Sequence, residues 1–148
     1  MEMKARVIGI SAFVAMMGFA SAALAGPPVA ITVKNQSPDA AEYYRIGDQA
    51  EETYQNASPK PDDVIESFDE DNYGVQSPLS PDVNYARVYY SANGTTCNFF
   101  TSYVALPGPG SSTFPNWNVD ATPASNCTAT IIDTDSLTGA WSVEFVID

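Results

Sequence analysis

Apolar and polar residues alternate in several segments of the chain, and this alternation predicts short β-strands. Val29, Ile31 and Val33 alternate with small or polar residues, and the same period returns in residues 141–147. A two-residue period of β-branched and aromatic side chains is typical of a strand with one buried face. A third β-rich run covers residues 127–132. The pattern therefore predicts strands near both ends of the region from residue 29 onward.

Two β-rich runs flank Asn93-Gly94 and predict a β-hairpin: residues 83–92, which are rich in tyrosine and valine, and residues 95–106. Asn-Gly is the strongest short-range hairpin signal, because both residues of a two-residue turn must accept positive φ. The turn fixes the register, and we expect the face that carries Cys97 and apolar partners to point into the core. The predicted pairs on this face are Tyr90 with Cys97, Val88 with Phe99 and Ala86 with Thr101. Those on the other face are Tyr89 with Asn98, Arg87 with Phe100 and Tyr85 with Ser102.

The segments between these runs are less regular. Residues 38–47 fit a short helix that starts after Ser37 and ends at Gly47, but they fit a strand equally well. Residues 48–82 hold four prolines and an acidic run, and we predict a long, mostly irregular acidic loop there. Residues 113–125 have room for one more short strand.

Together these elements predict an all-β fold. Five to eight short strands with turn residues between them are typical of a small antiparallel β-sandwich or a barrel-like domain. The prediction includes one disulfide and leaves room for one short helix.

The first 25 residues have the pattern of a cleavable secretory signal peptide. Lys4 and Arg6 precede an uncharged, mainly apolar run, and Ala23 and Ala25 occupy the positions that a signal peptidase reads. The alternative, a membrane anchor, needs about 20 apolar residues. We therefore expect a secreted or periplasmic protein, with a leader of bacterial type, whose mature part is a single domain over residues 26–148.

The strongly negative net charge of this domain limits the classes of partner that it can bind. Cleavage would remove Glu2, Lys4 and Arg6 and leave four basic against 17 acidic residues, a formal net charge of −13. Such a charge repels phosphate backbones and anionic headgroups. We expect no nucleic-acid partner and no membrane insertion after cleavage.

The two cysteines and the absence of histidine limit the kinds of catalytic and metal sites that the chain can form. Cys97 and Cys127 are the two cysteines of the chain, and in an oxidising compartment they predict a disulfide. Closing a loop of this length stabilises the fold by ~3.5 kcal/mol in the chain-entropy model. The chain contains no histidine, which excludes Ser-His-Asp and Cys-His catalysis and histidine-based metal sites.

The solvent-facing side of the predicted hairpin is the main candidate for a ligand-binding surface. It carries Tyr85, Arg87, Tyr89 and Phe100. Flat rings beside a cation suit a sugar ring or an extended peptide, through stacking and charge-assisted hydrogen bonds. In the alternative interpretation, the acidic loop or a second layer covers this face and Arg87 pairs with a carboxylate.

The acidic segment offers weak candidates for a calcium site. Asp69, Asp71 and Gly74 match three positions of an EF-hand loop, but Tyr73 and Ser80 stand where ligands are needed. A solvated acidic loop is the preferred interpretation, and no other cofactor is expected.

The sequence therefore predicts an exported, non-enzymatic β-domain that binds a carbohydrate or protein partner. One alternative is a structural subunit of a surface assembly, in which the strand of Val29, Ile31 and Val33 pairs with a neighbouring copy. A minor alternative is a small hydrolase with paired carboxylates. No catalytic residue is assigned.

Overall fold

The structure, a computed structural model, describes residues 25–148. The predicted signal peptide, except Ala25, lies outside the described residues. The strands are β1 (Val29–Asn35), β2 (Ala41–Tyr44), β3 (Ala57–Ser58), β4 (Val64–Ile65), β5 (Glu70–Val75), β6 (Val83–Ala92), β7 (Thr95–Pro107), β8 (Thr113–Thr122), β9 (Cys127–Thr134) and β10 (Trp141–Ile147). The helix α1 is Asp48–Asn56.

The strands form two five-stranded sheets, which confirms the predicted all-β fold. Sheet A has the order β3-β5-β1-β10-β9, and sheet B has the order β4-β2-β6-β7-β8. All strand pairs are antiparallel except β1 with β10, which run parallel. The sheets do not close into a barrel, so the sandwich-like form of the prediction holds.

The predicted hairpin is present with the predicted register. β6 and β7 place Tyr90 opposite Cys97 and Arg87 opposite Phe100, and the other predicted pairs follow. Asn93 and Gly94 have φ values of 50° and 74°, as a turn with two left-handed residues requires. The face assigned to the core is buried along both strands.

Aromatic contacts and one disulfide join the two sheets. The rings of Phe99 on sheet B and Phe145 on sheet A stack with centroids 4.7 Å apart. The Trp141 indole N–H donates to the Thr101 hydroxyl at 2.8 Å. The Cys97–Cys127 disulfide connects β7 to the first residue of β9, as predicted. Burial of these groups between the sheets forms one continuous core.

The prediction of one irregular acidic loop over residues 48–82 is wrong in part. This region contains α1, the short β3 and β4, and the six-residue β5 in sheet A. The period of β5 was hidden because an acidic residue, Asp71, occupies an inward position and is 8% exposed. The pattern of α1 was hidden because Ala50 and Thr53, which are small, are the residues it buries.

The ambiguity over residues 38–47 is resolved in favour of a strand. β2 pairs with β6, and the Ser37 hydroxyl donates to the Asp39 carbonyl instead of starting a helix. β1 is paired on both sides, with β5 and β10, which is the ordinary intramolecular pairing. No helix in the described part of the chain is both long and apolar enough to cross a membrane.

Candidate functional site

The structure brings the four predicted binding residues together on the outer surface of sheet B. We call this surface, defined by Tyr85, Arg87, Tyr89 and Phe100, the hairpin face. The Tyr85 and Phe100 rings stack with centroids 6.4 Å apart, and the Arg87 guanidinium carbon lies 4.6 Å from the Phe100 centroid. All four side chains are partly exposed. The face therefore presents a continuous aromatic and cationic surface to solvent.

Two amide oxygens hold Arg87 in place. Its Nε donates to Gln49 Oε1 at 2.7 Å, and its Nη1 donates to Asn98 Oδ1 at 2.9 Å. The salt bridges among residues 25–148 are Lys34 with Glu144 and Arg45 with Glu51. The alternative in which Arg87 pairs with a carboxylate is therefore wrong. Its guanidinium is oriented by two neutral amide groups.

The helix α1 lies at the edge of this face and leaves the rings accessible. β2 ends opposite Tyr89, and beyond that point the Arg87 backbone N–H donates to the Thr53 hydroxyl of α1 at 2.9 Å. The Tyr85 hydroxyl donates to the Glu52 carboxylate. Partial burial, reinforced by this hydrogen bond, raises the pKa of Tyr85 to about 12. The phenol therefore stays protonated and fixed at neutral pH.

Neighbouring strands extend the face beyond the four predicted residues. Tyr44 on β2 lies opposite Tyr89 and is 43% exposed. On the other side, Asn118 and Asp120 of β8 lie opposite Ser102 and Phe100 of β7. Sequence reasoning missed Tyr44 because the strand and helix interpretations of residues 38–47 were equally supported. Alternation within Tyr43-Tyr44, read as a strand, was the signal that could have found it.

The weak calcium candidates do not form a metal site. Asp71 points between the sheets and accepts the Asp62 backbone N–H at 2.9 Å, whereas Asp69 is exposed and accepts the Glu70 N–H. Burial raises the pKa of Asp71 above its usual value. Within residues 25–148, no group of three or more His, Cys, Asp or Glu side chains is arranged to hold a metal ion.

Comparisons with known proteins give little further guidance. No family model matches the chain, and no curated protein matches it. Among solved structures, the chain is similar to IP-1A from Alcaligenes faecalis, known from a crystal structure at 1.8 Å resolution. The identity is 10%, the alignment covers 85% of this chain and 94% of that chain, and the TM-score is 0.43. A likeness of this size supports no statement about function.

Proposed function

We propose that this protein is an exported, non-enzymatic module that binds a neutral carbohydrate chain on the hairpin face. The observation that carries the proposal is the alignment of Tyr85, Tyr89 and Phe100 beside the hydrogen-bonded Arg87 on one sheet surface. Tyr44 extends the row of rings toward β2. A sheet face of this kind can contact several consecutive sugar rings.

The chemistry of the face suits a sugar. The apolar side of a pyranose ring packs on aromatic side chains, and its hydroxyl groups need donors and acceptors nearby. The Arg87 guanidinium supplies donors, and the side chains of Asn98 and Asp120 supply acceptors. Because Arg87 and Tyr85 are already held by hydrogen bonds, little side-chain entropy is lost when a ligand binds.

Charge favours neutral over acidic sugars. The carboxylates of Glu42, Glu52 and Asp120 lie on or beside the face together with the Arg87 guanidinium. The whole chain is acidic, with a formal net charge of −12. Uronic acids and sulfated sugars would therefore approach against an unfavourable potential.

Export is supported by two compatible features. The Cys97–Cys127 disulfide is of the kind that forms in oxidising compartments. The N-terminal sequence has the three-part pattern of a secretory leader.

The other candidate functions have less support. A strand-exchange subunit would have to remove β1 from between β5 and β10, which breaks two hydrogen-bonded ladders. No specific contact among residues 25–148 favours the hydrolase or the protein-partner alternative over the carbohydrate.

Calorimetric titration with neutral hexasaccharides of glucose, xylose and N-acetylglucosamine tests the proposal. We expect Tyr89→Ala to weaken binding at least ~10-fold, because one stacked ring contributes about 0.5–1.5 kcal/mol beyond its buried area. Ile132→Ala, which truncates a 59% exposed side chain on β9 of sheet A, is the matched control. If Tyr89→Ala binds the hexasaccharides as tightly as the wild type and has the same melting temperature, the proposal is wrong.

A further inference from the structure

One aromatic residue, Phe68, has an unusual backbone conformation in the turn that precedes β5 of sheet A. Phe68 is 74% exposed, and its φ of 60° lies in the left-handed region. A bulky residue seldom adopts this conformation, because its Cβ crowds the backbone. A conformation of this kind persists only when the surrounding structure imposes it.

Hydrogen bonds on both sides impose this conformation on the turn around Phe68. The Asp69 N–H donates to the Glu66 carbonyl at 3.1 Å, and the Ser67 hydroxyl donates to the Ser37 carbonyl at 2.7 Å. The side chain of Asn35, 1% exposed, donates to the carbonyls of Ile65 and Glu66. These hydrogen bonds hold the backbone of the turn, and the ring of Phe68 projects from it into solvent.

The ring forms one wall of an open groove of about 630 Å³. This volume falls within the range of about 300–1,000 Å³ that is usual for small-ligand sites. The end of β1 supplies Lys34 and the exposed Gln36, and the start of β5 supplies Glu70, which lies opposite Lys34. Ammonium, amide and carboxylate groups thus stand beside an aromatic ring.

We propose that this groove is a second sugar-binding site that takes one neutral sugar ring. The ring of Phe68 would stack against the sugar, the Gln36 amide can both donate and accept, and Glu70 accepts from hydroxyl groups. Lys34 is paired with Glu144 at 2.8 Å, so its charge is compensated, and the site does not favour an anionic sugar. The choice of sugar as ligand class rests on the proposed function, but the residues are separate from the hairpin face.

The two sites lie on different sheets, since Lys34 and Glu70 belong to sheet A and the hairpin face belongs to sheet B. The module would therefore hold a carbohydrate chain along one sheet and a single terminal or branching ring at the other. A protein with both sites can cross-link two chains, and its avidity for a polymer then exceeds the affinity of either site.

The test uses single-ring probes: the methyl glycosides of glucose, galactose, xylose and N-acetylglucosamine. Saturation-transfer NMR detects their binding to the exported chain, and titration gives the affinity. Phe68→Gly should weaken binding at least ~10-fold. It should also raise the melting temperature by about 3 °C, because glycine accepts the left-handed conformation without strain. Leu79→Ala, which truncates a 76% exposed side chain in another loop, should change neither quantity.

Several outcomes overturn this inference. Unchanged affinity in Phe68→Gly overturns it, and so does the absence of binding by every methyl glycoside to the wild type. Preferred binding of galacturonate, used as an anionic probe, also contradicts it. Tyr89→Ala separates the two proposals: it should weaken hexasaccharide binding at least ~10-fold and leave single-ring binding intact. If Phe68→Gly has no effect but Tyr89→Ala does, the second site fails while the proposed function stands.

Discussion

At the residue scale, the buried side chains of Asn35 and Asn84 connect loops and strand ends through hydrogen bonds. The Asn35 side chain donates to the Asp39 carbonyl at 2.7 Å and accepts from the Ser37 backbone N–H at 3.1 Å, besides its bonds to the Phe68 turn. Asn84 is fully buried and donates to the carbonyls of Pro27 and Val75. Each amide donates to backbone carbonyls in loops and at strand ends, so its own polar atoms are satisfied, and this is the condition for burying a polar group at acceptable cost.

We expect Asn35→Ala to lower the free energy of unfolding by about 2–4 kcal/mol, because several buried carbonyls would lose their donor. Denaturant unfolding measures this change. Asn72→Ala, at an exposed position on β5, is the control and should change stability by about 0.5 kcal/mol or less. Equal effects of the two substitutions would show that the buried network contributes little.

At the element scale, α1 completes sheet B where β2 stops. An open strand edge exposes unpaired N–H and C=O groups, and covering it with a helix is one way to prevent pairing with another chain. The Thr53 hydroxyl replaces the missing strand by accepting the Arg87 N–H at 2.9 Å, and it donates to the Gln49 carbonyl at 2.8 Å. The same helix supplies the Gln49 amide that orients Arg87. Docking of α1 therefore stabilises the sheet and shapes the hairpin face.

Thr53→Val tests this contact, because valine keeps the shape of the side chain but removes the acceptor. We expect a loss of about 1–3 kcal/mol in the free energy of unfolding and faster hydrogen exchange at the Arg87 amide. Thr53→Ser keeps the hydroxyl and should retain amide protection. Protection of Arg87 that survives in Thr53→Val would contradict the role given to α1.

The sequence predicted the elements that are specified by neighbouring residues along the chain. It missed those that depend on contacts with residues far away in the sequence. The hairpin followed from Asn93-Gly94 and period two, so its register and its outer residues were predicted correctly. β5 was missed because Asp71 breaks the apolar period, and hydrogen bonds from backbone N–H groups, the Asp62 N–H among them, offset part of the cost of burying this carboxylate. Phe68 was predicted to lie in an irregular loop, since a left-handed φ in a phenylalanine is set by tertiary hydrogen bonds and leaves no local signature.

At the scale of the whole molecule, a group of tyrosines links the two sheets. The hydroxyls of Tyr73 on sheet A and Tyr90 on sheet B form a hydrogen bond of 2.8 Å in the core. Tyr43 packs against Tyr90 with centroids 5.3 Å apart, and its hydroxyl is buried without a hydrogen-bond partner among residues 25–148. Burial raises the pKa of Tyr43 to about 12, and it raises the pKa values of Tyr73 and Tyr90 well above the usual value.

These pKa values predict loss of stability at alkaline pH. The unfolded chain releases its phenol protons near pH 10 and the folded chain only at higher pH, so stability falls as pH rises through this window. For Tyr43 the loss between pH 9 and pH 11 is about 1.4 kcal/mol. Tyr43→Phe should remove this contribution and leave stability at pH 7 unchanged or higher, because it deletes an unpaired buried hydroxyl. Denaturant unfolding at pH 7, 9 and 11 measures the difference, and an identical alkaline loss in both proteins would contradict it.

Binding of a neutral carbohydrate chain to the hairpin face can be observed residue by residue in solution. Its most direct test is to map the amide chemical shifts of the isotope-labelled protein during titration with the neutral hexasaccharide that binds most tightly. If the hairpin face is the binding site, the largest saturable shifts will occur on β6 and β7 around Tyr85, Tyr89 and Phe100. Saturable shifts that leave these strands unchanged, or no shifts with any of the hexasaccharides, would contradict it.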